Sequence, residues 1–265
     1  WKSDGLGSFE ILPCEQEAPA RGTVVTINIK EDASEFLEKF RLQSVLKKHS
    51  SFIPFAIHLE GERVNTTPAL WREPKSSVTK EQYKEFYTHL TFDDAEPLDT
   101  LHISVDAPVQ FNCLAFIPTF GRDTFSFDRD RYGLDLYVRR VLIQHENKDL
   151  IPEYISFLKG VVDTEDLPLN ISRETLQENA LIRKIQQTIT KQVLSHLEKL
   201  AESDADAYNT FWNTHGKVFR LGYSDYANRE KFTGLLRFNF SIHEGREALT
   251  SIDAYMERAK TEQKA

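Results

Sequence analysis

Arg173 stands where local physics would place an acid. In the run Lys159–Gln177, KGVVDTEDLPLNISRETLQ, Pro168 ends whatever precedes it and Ser172 can cap a following helix. Arg173 therefore falls in the first helical turn, at the positive end of the dipole. Two chemistries fit. The guanidinium can pair at the surface with Asp163, Glu165 or Asp166 just upstream. It can equally be aimed outward, as an enzyme presents a cation to a phosphate supplied by another domain. A four-residue step sets Gln177 on the same helix face. The spacing leaves both readings open.

No other segment carries a self-contained site. There is no GxGxxG, Walker A or HExxH motif, and no serine lies in a nucleophile elbow. His89, His196 and His215 lie in or at the ends of predicted helices, which suits solvated or capping roles better than ligation. The N-glycosylation patterns at Asn65, Asn170 and Asn239 read as chance, because nothing else looks secretory. The formal net charge of −8 is spread along the chain, against the basic face of a nucleic-acid binder. Cys14 and Cys113 are too few for a disulfide framework or a zinc site and suit a reducing compartment. No apolar run approaches the ~20 residues of a membrane span. No signal peptide is expected, and a chain of 265 residues that begins at Trp1 is expected to be a piece of a longer protein.

The elements that must position Arg173 follow from periodicity and caps. Residues 1–12 read as a strand bent at Gly5-Leu6-Gly7, and 13–22, with two prolines, as a linker at a domain boundary. Residues 23–29 alternate as a strand. An Asp32/Glu35 capping box opens a helix to about His49, with Phe36, Leu37, Phe40, Val45 and Leu46 on one face. A short strand near 55–59 and a loop holding Trp71 between Pro68 and Pro74 come next. A Thr79/Gln82 capping box then starts a second helix. Residues 101–105, 109–117 and 134–144 read as strands. Leu181, Ile185, Ile189, Val193 and Leu197 form the stripe of a long amphipathic helix, flanked by Ile182, Leu194 and Leu200. Helices at 204–215, ending at His215-Gly216, at 225–239 and at 251–260 complete the pattern. Strands interleaved with helices predict an α/β layered sandwich followed by a three-helix bundle.

At this point the chain resembles a known family. GVVDTEDLPLNISRETLQ, preceded by LYVRRVLIQ and IPEYISFLKG, is similar to the middle domain of the Hsp90 molecular chaperones. RGTVVTINIKEDASEFLE, KKHSSFI, the Ala69-Leu70-Trp71 loop, EQYKEFYTHL and GLLRF at 234–238 agree. WKSDGLGSFEI resembles the strand closing that family's N-terminal ATP-binding domain. NTTPALW, VRRVLIQ and NALIRK, without a charged insert between domains, look more like the bacterial and organellar branch.

The resemblance implies roles. Arg173 matches the catalytic-loop arginine that contacts the γ-phosphate of ATP held with Mg²⁺ in the N-terminal domain. Gln177 matches its supporting glutamine, and Asn170 falls in the same loop. Trp71 is either a ring packed on its own prolines or a client contact. Phe125 and Phe127 lie in a loop matching one that packs on the N-terminal domain, though its length and sequence depart from the pattern. Trp212, beside Phe211, is a candidate client contact, but its helical setting favours burial.

The implied organisation is a last N-domain strand (1–12), a linker (13–22) and a large α/β subdomain similar to ribosomal protein S5 domain 2 (23–202). The bundle (203–240) and the start of a truncated small α/β subdomain (241–265) follow. Expected partners are the protein's own N-terminal ATPase domain, unfolded clients and, through a C-terminal domain outside this chain, a second copy. Neither nucleic acid nor membrane is expected, and a bacterial cytoplasm is the expected location, an organelle the alternative. Alone, the chain should bind nucleotide weakly and hydrolyse almost none. Two rivals stand beside this reading. One is the transducer domain of a topoisomerase or mismatch-repair ATPase, whose Gln-Thr-Lys motif is absent. The other is an interaction module in which Arg173 is a surface ion pair.

Overall fold

The structure, a computed structural model, describes residues 1–13, 20–121, 132–167, 180–239 and 248–259. The chain divides into two compact units, Trp1–Leu42 and Gln43–Ala265. That division falls downstream of the 13–22 stretch expected as the boundary.

In the first unit, local polar bonds replace the expected strands. Lys2 and Glu10 meet in an isolated bridge. The loop between them closes as Ser3 Oγ donates to Ser8 O at 2.6 Å and Leu6 N donates to Asp4 Oδ1 at 2.9 Å. The bend lies at Gly5-Leu6-Gly7 as expected, with φ of 81° and 96° at the two glycines, but the strand is reduced to one bridge. Residues 23–29 form no ladder, and Val24, Val25 and Ile27 are 73%, 72% and 72% exposed. Alternation supplies one side of a strand, and a ladder needs a partner. The Asp32 cap does not form either. Glu31–Leu37 is a 3₁₀ stretch without a side-chain cap, interrupted by non-helical Ala33. Helix α1, Lys39–Ser50, follows it, and Phe36, Leu37 and Phe40 are exposed.

The second unit is the layered body. The strand expected at 55–59 shortens to β1 (His58–Leu59), turned back on β2 (Glu62–Arg63). A 3₁₀ turn at Leu70–Arg72 precedes α2 (Lys80–Thr91). Its capping box is complete: Gln82 N donates to Thr79 Oγ1 at 3.3 Å, and Thr79 N donates to Gln82 Oε1 at 2.9 Å. Then come β3 (Asp99–Val105), β4 (Phe111–Ile117), β5 (Leu134–Val138), β6 (Val141–Asn147) and β7 (Lys159–Thr164). They make one mixed sheet of order β3-β4-β7-β5-β6. β5 and β7 run parallel, and the other neighbours are antiparallel. Two corrections follow. The single strand read over 134–144 is a hairpin turned at Arg139-Arg140. And β7, unanticipated, is the middle strand, closely packed on its neighbour: a Cβ on Gly160 would meet Leu114 O at 2.3 Å.

Both sheet faces are covered, with period-two alternation along β4. Leu114 and Phe116 join Tyr137, Leu142 and Val161 under α2 and Trp71. Cys113, Ala115 and Ile117 face the other way, into the core built with α3 (Ala180–Ser203), α4 (Ala205–Phe219) and α5 (Arg229–Leu235). Burial pushes the Cys113 thiol up to about 12, which leaves it protonated and inert. Helix α3 buries Ile185, Ile189, Val193 and Leu197 of the expected stripe together with the flanking Ile182 and Leu194, while Leu181 and Leu200 are only partly buried. Helix α4 does not end at His215-Gly216. Gly216 lies against the Trp212 ring, which a Cβ would meet at 3.0 Å, so the glycine serves packing rather than termination. The helix expected over 225–239 is shorter, giving way to β8 (Phe238–Asn239), which pairs with β9 (Leu249–Thr250). The last helix, α6 (Ile252–Arg258), starts at Ser251 as the sequence suggested.

The β5–β6 hairpin carries a pH-dependent tie. His145 Nδ1 lies 2.7 Å from Asp135 Oδ1. The hydrogen bond to Asp135 raises the imidazole pKa against the opposing effect of burial, and the carboxylate's charge adds to the rise. A raised folded-state pKa means the tie stabilises fully below the unfolded value, ~6.5, and fades as pH climbs through the folded value. Urea titrations at pH 5.5 and 8.5 should show a stability difference that shrinks in His145→Gln. An unchanged difference would assign the pH dependence elsewhere.

Candidate functional site

The polar centre of the second unit lies at the C-terminal end of β7, from which the chain enters 168–179. Asp163 is 0% exposed, and a carboxylate there is tolerable only if its oxygens are fully engaged. They are. Asp163 Oδ2 accepts from Trp71 Nε1 at 2.8 Å and from Arg72 Nε at 2.7 Å. Its Oδ1 accepts from Arg140 N at 3.2 Å. The Arg72 guanidinium also reaches Glu165 Oε1 at 2.7 Å. Burial works against the Arg72 charge, but Asp163 and Glu165 more than offset it and its pKa lies above the ordinary arginine value.

The neighbouring residues are tied as closely. Thr164 O accepts from Arg139 N at 3.1 Å. Thr164 Oγ1 donates to Gln110 O at 2.7 Å and accepts from Asp166 N at 3.2 Å. Asp166 Oδ2 accepts from Gln110 N at 2.9 Å. A second chain of bonds backs the tryptophan. Tyr83 Oη lies 2.7 Å from His102 Nδ1, and His102 Nε2 lies 3.4 Å from Trp71 O. Nδ1 as acceptor and Nε2–H as donor satisfies both contacts, and burial lowers the His102 pKa, keeping the ring neutral.

Trp71 belongs to this centre rather than to a surface loop. The ring is 0% exposed and packs edge-on to Phe52 and Phe86, with centroids at 4.7 and 5.7 Å. A free client contact does not describe it, and the ring contacts that set its place are Phe52, Phe86 and Tyr137. Trp212 is 5% exposed, with Phe219 at 6.3 Å and the Arg220 guanidinium over its ring at 5.7 Å. It is core as well. Asn170, Arg173, Gln177, Phe125 and Phe127 lie outside the described residues.

Sequence reasoning missed several members. Arg72, Asp163 and Arg140 look like ordinary surface charges, and only the tertiary fold joins them. Exposed apolar side chains of the second unit include Phe55, Phe92, Leu221, Tyr223 and Tyr226; no periodicity marks them. His196 is not merely solvated, since its Nε2 lies 2.5 Å from Asp99 Oδ2. His215 donates from Nε2 to Pro118 O at 2.8 Å inside the core. Among the described residues no group of three or more His, Cys, Asp or Glu could hold a metal, and no helix is long and apolar enough to cross a membrane.

The sequence profile described as Hsp90 protein matches residues 58–265. This chain belongs to the Hsp90 family. It is 65% identical over 264 residues to the chaperone protein HtpG of Nitratidesulfovibrio vulgaris and 66% identical over 264 residues to that of Oleidesulfovibrio alaskensis. It is 40% identical over 266 residues to the HtpG of Desulfitobacterium hafniense. All three matches cover 100% of this chain but only 41%, 41% and 43% of those proteins. Membership in the Hsp90 family sets aside the topoisomerase and mismatch-repair reading. The polar centre at the end of β7 sits inside the part of the chain that the family profile matches.

Proposed function

We propose that the chain is the middle segment of an ATP-dependent Hsp90-type chaperone, and that Arg173 acts on the γ-phosphate of ATP bound, with Mg²⁺, in a separate N-terminal domain. Gln177 supports the guanidinium, and Asn170 belongs to the same loop. The observation that carries the reading concerns the rival partners. Asp163, Glu165 and Asp166 were the acids available for a local ion pair, and each already has another partner. Asp163, buried and held by three donors, is closed to a further partner, and an arginine ten residues beyond it suits presentation to a phosphate, where it stabilises charge as the phosphoryl group transfers. Hydrolysis then waits on domain docking. The layered unit is assigned the ribosomal-protein-S5-domain-2-like fold. Exposed apolar side chains of the bundle contribute to a client surface, and dimerisation resides elsewhere in the full-length protein. A bacterial cytoplasm fits this reading.

The test is reconstitution in trans. Separately produced N-terminal domain should release phosphate from ATP faster when this chain is added, whereas this chain alone should not. No stimulation at saturating concentrations of both would refute the shared site.

Residues 1–42 are assigned to the N-terminal side. Three observations support moving the boundary beyond 13–22: the family profile begins at residue 58, the compact units divide after Leu42, and the apolar row at 23–29 is uncovered. An uncovered alternating segment gains both ladder bonds and burial by joining a sheet. Amide exchange over 23–29 should therefore be markedly slower in the full-length protein than in this chain. Equally fast exchange in both would place the boundary back upstream.

A further inference from the structure

We propose that Asp163 is a positioning residue for ATP turnover, the hub that fixes where the chain leaves β7 for the segment carrying Arg173; this rests on the reading above that Arg173 acts on ATP. Four consecutive residues, 163–166, are each bound to other parts of the fold. Asp163 is held by Trp71, Arg72 and the Arg140 amide, and Thr164 by the Arg139 amide and Gln110. Glu165 is held by Arg72, and Asp166 by the Gln110 amide. Leu167, 2% exposed, plugs the core immediately before residue 168. The strand end is thus over-determined.

A buried ion pair is commonly matched or exceeded by apolar side chains of similar volume, so an interior carboxylate with three donors is weak evidence for a stabilising role. The hairpin that meets it is independently unusual. Arg139 and Arg140 have φ of 51° and 66°, the left-handed pair that a two-residue turn normally fills with Asn-Gly. Each such residue persists only where the surroundings hold it. Here the holders are Thr164 O and Asp163 Oδ1, and neither arginine side chain has a partner among the described residues. Two costly features converge on one strand end, and that strand end is the stem of the segment bearing Asn170, Arg173 and Gln177. Holding a group within about 0.5 Å of its productive place is what such supporting shells do in catalytic sites.

The experiment is a double-mutant cycle on ATP turnover in the full-length protein with Asp163→Asn and Arg173→Ala. Asparagine keeps the volume and, with its oxygen toward Trp71, that acceptor, but loses the charge that orients Arg72 and sets its NH2 against the Arg140 amide. Alone it should lower kcat about 10- to 100-fold, the scale of a misplacement near 1 Å, with KM for ATP within about twofold. In the Arg173→Ala background it should add no further loss. Equal losses in both backgrounds, or no loss in the parent, would overturn the proposal. If Arg173→Ala alone leaves kcat unchanged, the Arg173 reading has failed and the positioning role falls with it. A loss from Asp163→Asn in that case would run independently of Arg173 and would likewise overturn the proposal. Arg72→Lys, which retains charge but loses the fork to Asp163 and Glu165, runs the same cycle if Asp163→Asn does not fold, and should give the smaller loss of the two.

Discussion

Arg173→Ala in the full-length protein is expected to reduce ATP turnover by roughly 10²–10³, the effect of losing one preorganised donor to a developing anion. Arginine fingers in related phosphoryl transfers reach roughly 10³–10⁵, which sets the upper bound. On the proposed reading, in which the nucleotide pocket lies in another domain and the guanidinium arrives late, the loss should fall on kcat rather than on KM. A contact made only in the transition state lowers kcat and kcat/KM together. Gln177→Ala should be milder, because in the proposed role its amide supports the guanidinium rather than bearing charge. Turnover unchanged by Arg173→Ala, with ATP saturating, would leave the residue as a surface ion-pair member.

Trp71→Ala should produce the largest change in stability. The ring is fully buried against Phe52 and Phe86, and it donates to Asp163. Truncating a buried Trp costs about 3–5 kcal/mol through lost transfer energy and the cavity left behind. Trp71→Phe separates packing from hydrogen bonding. It retains much of the apolar volume but removes a donor from a buried carboxylate, a loss of about 1–3 kcal/mol. Urea denaturation of both variants should give that order. Unfolding within error of the parent for Trp71→Ala would contradict the buried ring and return Trp71 to the role of an exposed contact.

These two residues show where sequence was legible and where it was not. Features written in local chemistry were readable. The Thr79/Gln82 box, the Ser251 cap, the stripe along α3 and the alternation of β3 and β4 all depend on neighbours within a few residues. Features decided by distant partners were misread. Trp71 sits among prolines, which signal a loop, but Phe52, Phe86 and Tyr137 decide its burial. Arg139-Arg140 lacks the Asn-Gly signature, so the hairpin stayed hidden; its left-handed turn is held by acceptors on β7. β7 itself gives a short apolar run followed by an acid, a pattern that names neither a central strand nor a buried carboxylate. Asp163 carried the site's polar centre, yet by residue type it was one more surface charge.

The most direct measurement is a structure of the full-length protein with a non-hydrolysable ATP analogue. The expected result is the Arg173 guanidinium at charge-assisted hydrogen-bond distance, roughly 2.7–2.9 Å, from a γ-phosphate oxygen, with the Asp163–Arg72–Glu165 cluster intact beneath it. A γ-phosphate untouched by any residue of 168–179, with Arg173 turned back onto Glu165 or Asp166, would contradict the account.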